Sequence, residues 1–213
     1  MVRRVKDDVF LYVEGGGDSL NEEFRQAFAS LLEKSALGTT KRPRIVPCGS
    51  RDEALKSFRT ALGLGKRALL LVDSEGPIDE IHQSPADKPS QWRPWGHLKQ
   101  RDAWRRPGGA KDADCHFMVQ MMESWFLADW DALAAFFGQG FDASRKPNGP
   151  LERVSKNAIE LALKQASRHS KTKGEYSKGL HSFKILAALS AERLTQQSPW
   201  AKRLVDELER RKS

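Results

Sequence analysis

Four carboxylates stand just after apolar runs in this chain. Glu14 follows one in LYVEGGGDS, Asp73 and Glu75 follow another in LLLVDSEGP, and Glu123 lies in VQMMESWFLAD. If those runs are neighbouring strands of a parallel sheet, their carboxyl ends share one cleft, where ligands of open α/β sheets collect. Carboxylates converging there repel unless a cation sits between them. Hard divalent ions such as Mg²⁺ or Mn²⁺ take oxygen ligands and keep waters that phosphate oxygens can replace. The set Glu14, Asp73, Glu75 and Glu123 therefore predicts a metal site for phosphoryl chemistry. For Glu123 the alternative is a first-turn glutamate favoured by the helix dipole.

The glycines after Glu14 pose a separate question. A loop that wraps phosphate needs a lysine or a dense set of free amides, and it avoids a carboxylate beside the anion. Neither GxxxxGK[ST] nor GxGxxG spacing occurs here. Gly15–Gly17 instead suit a tight turn with close approach of a substrate backbone, and Asp18 suits a helix cap or an indirect metal contact.

The elements that must position these groups read as alternating strands and helices. Residues 8–13 (DVFLYV), 44–48 (RIVPC), 67–72 (RALLLV) and 116–121 are strand candidates, and 67–72 has the continuous apolar run of a strand buried on both faces. Helices are expected at about 20–34, with Ser19 and Glu22 at capping-box spacing, and from Ser50 and Glu53, which repeat it. Another is expected from Glu123. This order predicts an α/β fold with a mostly parallel, Rossmann-like four-stranded sheet flanked by helices, joined by right-handed crossovers. The ends of the first, third and fourth strands should lie side by side.

Residues 76–112 break the order with five prolines and three tryptophans, as an inserted loop or subdomain within an α/β unit of residues 1–137. A linker is expected at 138–150 and a C-terminal helical extension at 151–213, with helices near 151–168, 180–196 and 199–211, the last opening Ser198-Pro199.

The 213 residues carry a net charge of +8, unevenly spread. Residues 91–111 hold six basic residues and one acid, and 152–184 hold eight against three, so each stretch is +5 and the remainder about −2. Such clustering suits a polyanion, nucleic acid above all, though a solvated Lys/Arg-rich surface gives the same count. Arg93, Arg101, Arg105, Arg106, Lys171 and Lys173 are the candidate contacts. Trp92, Trp95 and Trp104, interleaved with those arginines, could stack bases or form the insert's own small core. Among Tyr176, Lys178, His181 and Lys184, Lys178 is the first candidate and His181 the second for neutralising phosphoryl charge, against plain solvent or backbone contact.

The apolar run Ala68–Val72 is far too short to span a membrane, and no apolar h-region is expected behind the basic start. Cys48 and Cys115 are solitary, so neither a zinc cluster nor a disulfide framework is expected. A cytoplasmic protein is the plain expectation, and the oligomeric state is not legible.

VEGGGD at 13–18 followed by LVDSE at 71–75 resembles the Toprim (topoisomerase–primase) domain, which pairs a glutamate after its first strand with an acidic motif after its third. MMESWFLAD and EYSKGLHSFKIL resemble an uncharacterised Toprim-related bacterial family (domain of unknown function 4276), similar in outline to RloB-like proteins and to the nuclease half of OLD-family proteins. The resemblance implies a Mg²⁺- or Mn²⁺-dependent nuclease, with Glu14 in acid/base work or metal binding and Asp73 and Glu75 as metal ligands. It also implies an ATPase as partner protein and a phage-defence or mobile-element setting. The chain departs from the Toprim pattern in carrying Glu75 where that motif has a second aspartate, and Glu123 matches the closer family alone. A nucleotide-directed phosphoryl-transfer enzyme and a non-catalytic nucleic-acid-binding subunit are the rival expectations.

Overall fold

The computed structural model describes residues 8–17, 20–39 and 42–212. Its four strands are β1 (Val9–Val13), β2 (Arg44–Pro47), β3 (Arg67–Asp73) and β4 (Cys115–Met118), all parallel in the order β2-β1-β3-β4. The first, third and fourth strands are thus adjacent, as expected. Alternation along the strands feeds two cores. Val9, Leu11, Val13, Leu69, Leu71 and Met118 face one layer, and Tyr12, Ala68, Leu70, Val72, Cys115 and Phe117 face the other. Covered on both sides, β3 is buried along all but its first residue, which explains its unbroken apolar sequence.

The helices divide between those faces. Helix α1 (Asn21–Glu33) sends Phe24, Ala27, Phe28, Leu31 and Leu32 into the first core, whereas α2 (Arg51–Gly63) sends Ala54, Leu55, Phe58 and Ala61 into the second. The crossover changes face between β2 and β3, so the seam between β1 and β3 is the topological switch point. Ser50 caps α2 as its spacing predicts, accepting the Glu53 N–H at 3.3 Å. The expected roles of Asp18 and Ser19 fall outside the described residues, and Leu20 stands at the N-cap of α1 with no side-chain cap bond.

The insert is more ordered than its sequence suggested. It contains α3 (Pro94–Asp102), and Trp92 and Trp95 pack into the second core with their indole N–H groups on the carbonyls of Pro85 and Lys111 at 3.0 Å each. Those two tryptophans are core residues rather than stacking platforms.

Three expectations are corrected. The expected helix from Glu123 is a 3₁₀ segment (Met122–Asp129), buried throughout, and only then α4 (Trp130–Phe137). The expected 151–168 helix is a 3₁₀ turn (Leu151–Arg153) followed by α5 (Lys156–Ser167), whose N-cap Ser155 accepts from Ala158 N. The expected 180–196 helix is two helices, α6 (Lys178–Ala188) and α7 (Ala191–Gln197). They part at Ser190, whose side chain caps α7 while its N–H donates to Asp129 Oδ2 at 2.8 Å.

Helix α8 (Pro199–Lys212) closes the fold with Pro199 at its first position. Arg203 on α8 is buried, donating to the carbonyls of Pro89, Cys115 and Asp112 and to His116 Nδ1 at 2.7–3.1 Å. Residues 138–150, expected as a linker, are tied to α5 by the Asp142 N–H on Ala166 O at 2.8 Å. The C-terminal helices pack into the first core together with the sheet, as where Phe183 on α6 meets Phe24 on α1 edge-on at 5.2 Å. Among the described residues no helix is long and apolar enough to cross a membrane.

Candidate metal centre

Carboxylate oxygens of Glu14, Asp73 and Glu75 lie within 4.8 Å of one another at the switch point. Parallel pairing brings them together: Val13 registers with Leu71, so Glu14, just past β1, lies beside the end of β3 at Asp73. Glu14 Oε2 accepts the Asp73 N–H at 2.9 Å, and the Glu14 N–H donates to Leu71 O at 2.9 Å. The loop carrying the acidic pair is held at every residue. Ser74 N–H donates to Met118 O and Glu75 N–H to Gln120 O, while His97 Nε2 donates to Ser74 O at 3.0 Å. Glu75 stands at φ 65°, a left-handed conformation that costs a non-glycine residue energy and that these bonds sustain.

The three carboxylates differ in surroundings. Asp73 is 9 % exposed, and its Oδ1 is buried without a hydrogen-bond partner. Burial, then the charges of Glu14 and Glu123, push its carboxyl well above the usual range. Burial also raises Glu14, against the pull of the Asp73 N–H and of Arg51. Glu75 goes the other way: burial would raise it, but the Lys156 ammonium at 2.5 Å, with Arg51 and Arg101, holds it below the usual range. A buried carboxylate oxygen lacking a donor, beside two more carboxylates, is what a hard cation satisfies. The residues fit such an ion.

Glu123 is placed differently. Its side chain is fully buried, Oε1 accepts from Tyr176 and Ser182 hydroxyls at 3.2 Å each, and Oε2 lies 3.3 Å from Lys178 Nζ without hydrogen-bond geometry. It lies outside the three-carboxylate cluster. Lys178 bridges the two: it lines the cavity of about 270 Å³ that Glu14 and Asp73 open into, together with Gly15, Gly16 and Met118. Burial works against its charge, but Glu123 and Asp73 outweigh that and hold the ammonium above its usual range.

His181 is not in this cavity wall. It is buried against Phe136, Phe137 and Tyr176, and its Nδ1 accepts the Ser177 N–H at 3.1 Å at the start of α6. Arg93, Arg105, Arg106, Lys171 and Lys173 are exposed, Arg106 facing Asp112 at 3.6 Å and Lys173 lying 5.3 Å over the Phe136 ring. Arg101 reaches the centre itself, 3.8 Å from Glu75. A wider cleft, of about 540 Å³ between the insert and the start of α8, contains Glu80 and Glu152 but none of the clustered carboxylates.

Gly15 and Gly16 turn the chain tightly against its own neighbours and line the cavity beside Glu14 and Asp73. Gly15, at φ 115°, forms a two-bond bridge with Gly49, and a Cβ on it would sit 2.7 Å from the Phe24 ring. A Cβ on Gly16 would stand 2.9 Å from that of Pro47. The close approach is to the protein's own chain.

Two cations of the centre escaped sequence reading. Arg51 opens α2, donates to the Asp73 carbonyl and, at 2.8 Å, to Asp102, and lies 4.0 Å from Glu75. Lys156 opens α5, at the edge of the second basic stretch. The signal for Arg51 was its place directly after a capping serine that follows a strand, which puts it at the carboxyl edge of the sheet. Nothing local marks Lys156, whose partner is 81 residues away.

No match was found among curated proteins or solved structures. A sequence model of the family described as Domain of unknown function (DUF4276) matches residues 13–209, a span that takes in every residue of the centre, and the chain belongs to that family.

Proposed function

We propose that this protein is a Mg²⁺- or Mn²⁺-dependent phosphodiester hydrolase acting on nucleic acid, with Glu14, Asp73 and Glu75 as the metal-holding set. The observation that carries the proposal is the buried, unpartnered Asp73 Oδ1 facing two further carboxylates at the switch point of a parallel sheet. A divalent cation held there would supply Lewis-acid polarisation of a phosphate and an acidified water.

The chain's own groups supply the rest. Lys178 puts a positive charge on the cavity wall, suited to the charge a phosphoryl group develops in its transition state. Lys156, Arg51 and Arg101 surround Glu75 and add positive potential beside the carboxylates. Glu14, raised by burial, lines the same cavity and is placed to take or return a proton. Glu123 acts through Lys178, holding the ammonium in position, rather than through the metal.

The adjacency of Glu14 with the Asp73–Glu75 pair supports the likeness to Toprim domains; a relation to RloB-like and OLD-family nucleases and an ATPase partner rest on the sequence resemblance alone. The test is incubation of plasmid, single-stranded DNA and RNA with the protein in Mg²⁺, Mn²⁺ or EDTA. Cleavage should need the cation, and Asp73→Asn should slow it by more than about 100-fold, beyond the roughly 10–100-fold typical of residues that only support a ligand. Cleavage that persists in EDTA, or an Asp73→Asn protein of full activity, would overturn the assignment.

A further inference from the structure

Five of the six tryptophans, Trp92, Trp95, Trp125, Trp130 and Trp200, are buried. Trp104 alone is only partly buried. It follows Ala103, which ends α3 in a left-handed conformation (φ 57°) and so turns the chain back across the start of α2. There Trp104 lines an open groove of about 470 Å³ together with Lys56, Arg59, Arg105 and Asp52. Lys56, Arg59 and Arg105 outnumber Asp52 and Glu53, which pairs with Lys56 at 3.4 Å, so the groove is net positive. The Arg51 guanidinium lies 5.0 Å over the Trp104 ring and donates to the Asp73 carbonyl, so a single side chain separates the indole from the metal centre.

Trp104 packs on the edge of the second core, and the part of its indole left uncovered faces the positive groove. It fits a ligand with alternating flat apolar faces and phosphates. We infer that this groove is a subsite for single-stranded nucleic acid, in which an unpaired base stacks on Trp104 and the flanking phosphates meet Lys56, Arg59 and Arg105. A duplex offers no free base face to the indole, and an acidic peptide would use the cations but leave the ring idle. Because Arg51 joins the groove to Asp73, the strand runs from the groove to the carboxylates. This deepens the nuclease reading and rests on it for the chemistry at the far end.

The experiment is a tryptophan-fluorescence titration in EDTA, where cleavage cannot interfere. The probes are oligothymidylate and oligouridylate of about 20 nucleotides, longer than the roughly 4–16 that one such site covers. Both should quench the emission, since the other tryptophans are buried, and a duplex of the same length should bind more weakly. Trp104→Ala should lose about fivefold or more in affinity, and Trp104→Phe, which keeps a ring, should lose less while removing most of the quenching. Arg59→Ala with Arg105→Ala, on exposed side chains, should weaken binding and flatten its dependence on salt. The inference is overturned if Trp104→Ala binds like the wild type or if neither oligonucleotide binds. It is also overturned if duplex binds as tightly, or if polyglutamate competes equally well. Trp104-independent binding with metal-dependent cleavage would sink the groove and leave the nuclease. Trp104-dependent binding without any metal-dependent cleavage would do the reverse.

Discussion

Glu14 and Asp73 meet across the β1–β3 seam, the Glu14 carboxylate accepting the Asp73 backbone N–H at 2.9 Å. The bond fixes one acid's side chain to the other's main chain, so the Asp73 side chain is left to face Glu14 with no donor for Oδ1. Two carboxylates in that relationship are costly without a cation.

The cost has a pH signature. The Asp73 carboxyl is raised in the folded protein, by burial first and by Glu14 and Glu123 next. A raised carboxyl contributes stability below its ordinary value and loses it as pH climbs through the folded value. Without metal, Asp73→Asn should therefore melt higher than wild type, and the gap should widen from about pH 4.5 to about pH 7.5. Thermal unfolding of both proteins measures it, and Mn²⁺ should close the gap by stabilising wild type alone.

Lys156 competes with any cation for Glu75, at 2.5 Å from Oε2. Lys156→Met should tighten Mn²⁺ binding, by calorimetry near neutral pH, while slowing cleavage, because a positive charge near the phosphate is gone. Weaker Mn²⁺ binding in this variant would show that Lys156 supports the ion rather than opposing it.

Gly15→Ala should destabilise the fold by about 1–3 kcal/mol, the usual cost of forcing a side chain into a disfavoured backbone region. Its φ of 115° and the 2.7 Å approach to Phe24 leave no relaxed position for a methyl group. Denaturant unfolding reads the loss, whereas Gly17→Ala, with nothing within 4 Å of its Cβ, should lose less.

What was legible in the chain and what was not follows from the range of the interactions. DVFLYV and RALLLV announced β1 and β3 because a strand buried on both faces has no polar residue to spare, and the acids behind them had to emerge together. Ser50 and Ser198 marked helix starts through contacts three residues long. Glu123 was misplaced because MESWFLAD has a helical pattern, yet it forms a 3₁₀ segment that turns the carboxylate onto Tyr176 and Ser182. Those partners, like Lys156 for Glu75, lie more than 50 residues away and leave no local trace.

His116 supplies a second pH test, remote from the carboxylates. It is buried, donates through Nε2 to Ala113 O at 3.1 Å and accepts from Arg203 through Nδ1. Burial first, then Arg203, hold it well below its ordinary value, so the neutral ring is the folded form. Its contribution to stability is present above about pH 6.5 and lost as pH falls toward the folded value. His116→Asn, which keeps an acceptor for Arg203, should lose less stability than wild type between about pH 7.5 and about pH 5, so the melting-temperature difference between the two proteins should shift in the variant's favour as pH falls.

The most direct test of the centre is calorimetric titration of the metal-free protein with Mn²⁺ near neutral pH, since it needs neither a substrate nor a partner protein. Wild type should show saturable binding that Asp73→Asn abolishes and that Glu123→Gln leaves largely intact, because Glu123 lies outside the cluster. Undiminished Mn²⁺ binding by a folded Asp73→Asn protein, or no binding by wild type, would contradict the account.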